Sequence, residues 1–118
     1  MNISYINHKN KRIIYVDYRG CKCEDDLLLV INKLKEHYER TTENHILLND
    51  FTGAFGTRNF MKHANKLGTE IFDARTTKTA ALGIEGLRLV LLTAYNKVVK
   101  NKIMHFNSKE EALEYLVS

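Results

Sequence analysis

Three short stretches hold most of the residues able to do chemistry: Arg19-Gly20-Cys21-Lys22-Cys23, the loop from Asp50 to Arg58, and Glu85-Gly86-Leu87-Arg88. Each follows a β-rich run and precedes a helical pattern. A strand that feeds a glycine loop and then a helix start is where α/β proteins place ligands or switches. If the strands are parallel, the three loops share one rim, which gathers Arg19, Lys22, Arg58 and Arg88 beside helix N-termini. Backbone N–H groups and guanidinium forks together favour an anion such as phosphate or carboxylate. Solvated cations and glycine turns account for the same residues, so residue type leaves both readings open.

Specific chemistries can be tested against spacing. The loop around Gly53 and Gly56 lacks the Lys-Ser/Thr that ends a Walker loop, and its glycines have the wrong spacing and setting for a dinucleotide motif. Cys21 and Cys23 are two apart, so they are not a redox C-x-x-C pair, and a bridge across one residue is strained. The five histidines show no ligand spacing, so no metal is expected. Placement near a helix start is the one feature that would lower a thiol pKa here. Asp50 stands at a strand end as a nucleophile in principle, but no histidine lies near it in sequence, and His63 falls on the polar side of a helix, facing solvent. No active site assembles, so neither an enzyme nor a cofactor is expected.

The elements that must position these residues follow from periodicity. Residues 3–6 and 12–18 are β-rich runs joined by a polar turn, an expected hairpin. Leu27, Val30, Ile31, Leu34 and Tyr38 recur at helical spacing over 24–40. A strand over 45–51 leads into the glycine loop. Phe60, Ala64, Leu67, Ile71 and Ala74 then mark a second helix, and 79–84 a further strand. The third helix, 87–99, is apolar on more than one side: besides its main stripe it carries Leu89, Val90, Leu92 and Val99. A surface helix buries one stripe, so this helix is either sandwiched in the fold or presents Leu89 and Leu92 to a second copy of the chain. A last strand over 103–106 precedes a Ser108/Glu111 capping box and a C-terminal helix. The order β-β-α-β-α-β-α-β-α predicts an α/β fold, a mixed, mostly parallel sheet of about five strands flanked by four helices.

Composition sets the remaining bounds. The 118 residues suit one domain, 1–118, and 44% apolar with 27% charged residues is ordinary for a globular chain. The net charge of +4 is spread without an arginine-rich block, so nucleic acid is not expected as a partner. The N-terminus lacks a signal-peptide pattern, and apolar runs such as 89–92 are far too short for a transmembrane segment, which makes the cytoplasm the expected location.

Four segments, RIIYVDYRG (12–20), ILLNDFTGAFGT (46–57), ALGIEGLRLVLLTAYNKVV (81–99) and FNSKEEALEYLVS (106–118), together resemble the SpoIIAA-like branch of the STAS superfamily. The resemblance implies a mixed sheet flanked by helices, frequent homodimers, and a non-catalytic regulatory module acting through protein–protein contact. Anti-sigma-factor antagonists of this superfamily are switched by phosphorylation at the start of the helix after a central strand. That place corresponds to the loop holding Asp50, Thr52, Gly53, Gly56, Thr57 and Arg58. The antagonists carry an Asp-Ser-Ser-Gly-type stretch, whereas this chain reads Ala54-Phe55-Gly56-Thr57-Arg58, with Thr57 the hydroxyl in the right place and Thr52 earlier. Arg58 could pair with a phosphate on Thr57, and an N-cap role explains Thr57 without any switch. The branch is also related to lipid-transfer domains of the CRAL-TRIO type. The alternative function is therefore a carrier of a small apolar or anionic ligand, in a pocket at the carboxyl ends of the strands or under the second or third helix.

Overall fold

The computed structural model describes residues 2–100 and 102–118, apart from the side chains at 87 and 88. Strands β1 (Ile3–His8) and β2 (Lys11–Asp17) form the antiparallel hairpin. Its two turn residues, Lys9 and Asn10, both have positive φ, at 48° and 68°. That left-handed pair gives the turn a twist matching the strands. Strands β3 (His45–Asp50), β4 (Thr76–Leu82) and β5 (Ile103–Phe106) add in parallel, in the order β1-β2-β3-β4-β5.

Sequential addition in one direction decides where the helices go. Parallel crossovers are right-handed, so each crossover helix lands on the same face of the sheet. Helices α1 (Glu24–Arg40), α2 (Arg58–Leu67) and α3 (Leu87–Val98) are those crossovers. They enclose the larger core, in which Ile14, Val16 and Leu47 of the sheet meet Leu27, Leu34, Phe60, Ala64 and Tyr95. Among the described residues only α4 (Lys109–Val117) covers the opposite face, setting Ala112 and Leu116 on Ile13, Tyr15, Leu48, Ala80 and Leu82. Ser108 caps α4: its hydroxyl accepts from the Glu111 N–H at 3.2 Å and donates to the Glu111 carboxylate at 3.0 Å.

The fourth strand, Thr76–Leu82, is displaced from the expected 79–84. β4 begins at Thr76 rather than 79, because α2 runs on through a π-helical turn, Gly68–Phe72, and a last turn, Asp73–Arg75, straight into the strand. The Thr76 hydroxyl donates to the Phe72 carbonyl at 2.6 Å and closes the helix where the strand begins. Gly68 is needed in that turn because a Cβ there would stand 2.6 Å from the Tyr95 hydroxyl of α3.

The third helix is resolved in favour of packing on one side. Leu91, Leu92, Tyr95 and Val99 are buried within the protomer, while Leu89, Val90 and Val98 are exposed. Leu92 therefore does not share an outer face with Leu89: although they are three apart on the helix, Leu92 is 6% exposed and Leu89 41%. Among the described residues no helix is long and apolar enough to cross a membrane.

Candidate functional site

At the carboxyl ends of β2, β3 and β4 the loops form an open cleft of about 420 Å³. Its centre is Asp50, the last residue of β3 and only 5% exposed. The Tyr15 hydroxyl donates to Asp50 Oδ2 at 2.6 Å, and the Thr52 N–H donates to Oδ1 at 3.0 Å. Arg19 Nε stands 3.8 Å from Oδ2. Burial by itself raises a carboxyl pKa; the bonds from Thr52 and Tyr15 outweigh it and hold Asp50 below the usual carboxylate range. Tyr15 is driven the other way, by burial first and by Asp50 second, so it remains a donor.

Arg19 is held mainly by its neighbour. Asp17 accepts from Arg19 Nε at 2.9 Å, from Nη2 at 3.0 Å and from the backbone N–H at 2.9 Å. This is a bidentate fork, the strong form of such a pair, and it pulls the Asp17 carboxyl below its ordinary value. Lys109 reaches in from the start of α4, with its ammonium 4.9 Å from the centre of the Tyr15 ring.

The geometry rearranges the expected rim. Thr52, Gly53, Arg19 and Glu85 line the cleft with Gly83, Ile84, Asn107 and Lys109. Lys22 and Arg58 are exposed and do not line it, so they do not join Arg19 around one anion. The Arg88 side chain lies outside the described residues. Arg19 meets two carboxylates, which is why the cleft is of mixed charge rather than an anion cradle. Lys109 and Asn107 were missed in the sequence; they lie in the β5–α4 junction, which also opens at the strands' carboxyl ends and was a readable signal.

Gly83 fixes how tightly the loops meet. Its φ is +75°, and a Cβ there would fall 2.5 Å from both Thr52 Cα and Thr52 N. The 51–57 loop thus rests on the β4–α3 turn through backbone contact, and the Phe51 N–H donates to the Leu82 carbonyl at 2.9 Å.

Thr57 is the N-cap of α2, accepting from the Phe60 N–H at 3.1 Å. Its hydroxyl also donates to Glu24 Oε1 at 2.5 Å, and Asn59 Nδ2 donates to Oε2 at 2.9 Å. These two donors hold the Glu24 carboxyl below its usual value. One hydroxyl therefore ties the start of α2 to the start of α1. Among the described residues Arg58 makes no hydrogen bond or ion pair with Thr57, and it is exposed.

Two other expectations change. Cys21 and Cys23 are free thiols, but Cys21 is buried, and burial, then Asp26, pushes its pKa up rather than down. The helix start near it does not compensate for lost solvent and neighbouring carboxylates. His63 does not simply face water: it is half-buried between helices, with Nε2 3.0 Å from Asn32 Oδ1 of α1.

No family model and no curated protein matches this chain. Among solved structures, an uncharacterized protein from Shewanella loihica with a SpoIIAA-like fold aligns with a TM-score of 0.71 at 17% identity, over 97% of this chain and 91% of that one. An anti-sigma-factor antagonist (STAS) domain protein from Planctomyces limnophilus aligns with a TM-score of 0.64 at 13% identity, over 98% of both chains. The fold is SpoIIAA-like. The five-stranded mixed sheet and its flanking helices are shared over nearly the whole length. At these identities the likeness is one of architecture, and the SpoIIAA-like frame places Thr57 at the start of the helix that follows a central strand.

Proposed function

We propose that this chain is a non-catalytic regulatory binding module that acts through protein–protein contact, with the 51–57 loop as its contact surface. One observation carries the reading. The loop presents Phe55, 37% exposed, beside the exposed Thr52 and Gly53, at the end of the sheet where the backbone is braced by Gly83. A part-exposed aromatic side chain on a loop braced at one end is the kind of anchor that dominates protein interfaces. Asp50 supports it: both carboxylate oxygens are committed to Tyr15 and Thr52, so the carboxylate braces the loop rather than attacking a substrate.

A switch at Thr57 is part of the proposal. A phosphate there would stand against Glu24, whose carboxylate now accepts the Thr57 hydroxyl, so like charge would part the starts of α1 and α2. Self-association is assigned to Leu89 and Val90, 41% and 63% exposed on the outer side of α3.

The test is affinity capture from the native host followed by purified binding measurements. Wild type should retain a specific protein that Phe55→Ala loses, and Thr57→Glu should weaken the same contact. Equal capture by wild type and Phe55→Ala would sink the loop as the contact surface. A monomer in light scattering would remove the role of Leu89 and Val90.

A further inference from the structure

A cavity lies between the sheet and the helices on its more heavily covered face, with about 80 Å³ open to the centre of a water molecule. Leu47 and Asn49 of β3 and Thr79 and Ala81 of β4 form its floor. Phe60 of α2 and Leu92 and Tyr95 of α3 form its roof. The gap has a cause in the sequence. Strand positions covered by helices on a parallel sheet are ordinarily filled by Val, Ile or Leu. Here a polar residue, a threonine and an alanine occupy three adjoining floor positions, so the layers do not close on one another.

The polar groups are the second observation. Asn49, Thr79 and Tyr95 are 7%, 5% and 8% exposed. Among the described residues none of their side chains has a hydrogen-bond partner, and none is a fully enclosed orphan, since Asn65 Oδ1 alone has that status. All three line the cavity. Buried amides and hydroxyls are almost always paired, so three together facing one void mark a space built for something polar. Among the described residues no lysine, arginine or histidine lines the cavity. The carboxylate on its wall, Asp73, already accepts the Lys100 N–H at 2.9 Å. An anion would find no counter-charge among those residues. Burial keeps the Tyr95 hydroxyl protonated, hence a donor.

We propose that this cavity binds a small neutral molecule with an apolar body and one hydroxyl or carbonyl end, the end held by Asn49, Thr79 and Tyr95. At roughly 10–15 Å³ per water-sized position, the space suits about six heavy atoms. The site is inside the fold and separate from the Asp50 cleft, and it does not depend on the protein-contact reading of the 51–57 loop.

The experiment is a titration of ¹³C-methyl spectra, following Leu47, Leu91 and Leu92, with 1-pentanol and with pentanoate as its charged counterpart. Pentanol should give saturable shifts at these methyls, and pentanoate none. Asn49→Leu, which keeps the branched shape and removes the amide, should weaken pentanol about tenfold, the order of one buried hydrogen bond. Thr79→Val should weaken it by a smaller factor, and Ala81→Leu should abolish it by filling the space. If Ala81→Leu does not fold, Asn49→Leu and Thr79→Val decide the matter between them. The proposal is overturned if pentanol gives no saturable shift, as in a cavity that holds only water. It is equally overturned if pentanoate binds as well, or if Asn49→Leu binds pentanol unchanged.

Discussion

Asn49 and Asp50 are consecutive residues of β3 and almost equally buried, at 7% and 5% exposure, yet the pleat sends them to opposite faces. Asp50 lies under the cleft, where a tyrosine, a backbone N–H and an arginine surround it. Asn49 points into the cavity beneath α2 and α3, where no side chain of the described residues answers it. The cleft is a polar site whose groups satisfy one another, and the cavity is an apolar site whose polar groups do not. The lesson is that burial alone does not locate a binding site: the state of the buried polar groups separates a brace from a receptor.

Substitutions can break this contrast, and the largest effect is expected at the cleft. Gly83→Ala adds a Cβ 2.5 Å from the Thr52 backbone at a φ of +75°. It should cost about 3 kcal/mol in urea unfolding, near the upper end for a strained non-glycine backbone. Next comes Asp50→Asn, which weakens two bonds to a charged acceptor and should cost about 2 kcal/mol. Asn49→Leu should act in the opposite direction and stabilise by about 1 kcal/mol, because it removes an unpaired amide. Opposite signs at adjacent, equally buried positions would establish the contrast, and a loss at Asn49 would mean that its amide is satisfied after all.

Thr57→Ala tests the link between helices and should cost about 1 kcal/mol for the cap. Thr57→Ser should recover most of it, whereas a requirement for phosphorylation would not show in stability at all. The smallest effects come from pH. His45 is buried, and burial, then the nearby His37, lowers its pKa below the ordinary value. The unfolded chain takes up that proton at about pH 6.5 and the folded chain does not, so stability should fall as pH drops through that value. Asp50 has a depressed pKa, so its contribution is present above about pH 3.9 and is lost only in stronger acid. Urea midpoints at pH 7.5, 5.5 and 3.5 should show two steps. His45→Gln should shrink the first, which it shares with His37, and Asp50→Asn the second, which it shares with Asp17 and Glu24.

Much of the fold was legible because its signals are local. The helix over Glu24–Arg40 follows from five apolar residues at helical spacing, and the capped helix at Lys109–Val117 from Ser108 and Glu111. The start of β4 was not legible. Thr76 to Lys78 read as loop, and their strand role depends on pairing with His45 and Ile46. The 51–57 loop was found, but the partners that define it were not. Arg19 looked free for an anion until the structure set Asp17 and Asp50 around it.

The sequence by itself determined the element order, the mixed sheet and the position of the glycine loop, since periodicity, turn residues and caps act over a few residues. Tertiary structure alone decided which side of α3 is buried, that Thr57 reaches Glu24 across 33 residues, and that Asn49, Thr79 and Tyr95 line one void. These depend on how layers meet, and a packing defect between a sheet and two helices leaves no trace in any one segment.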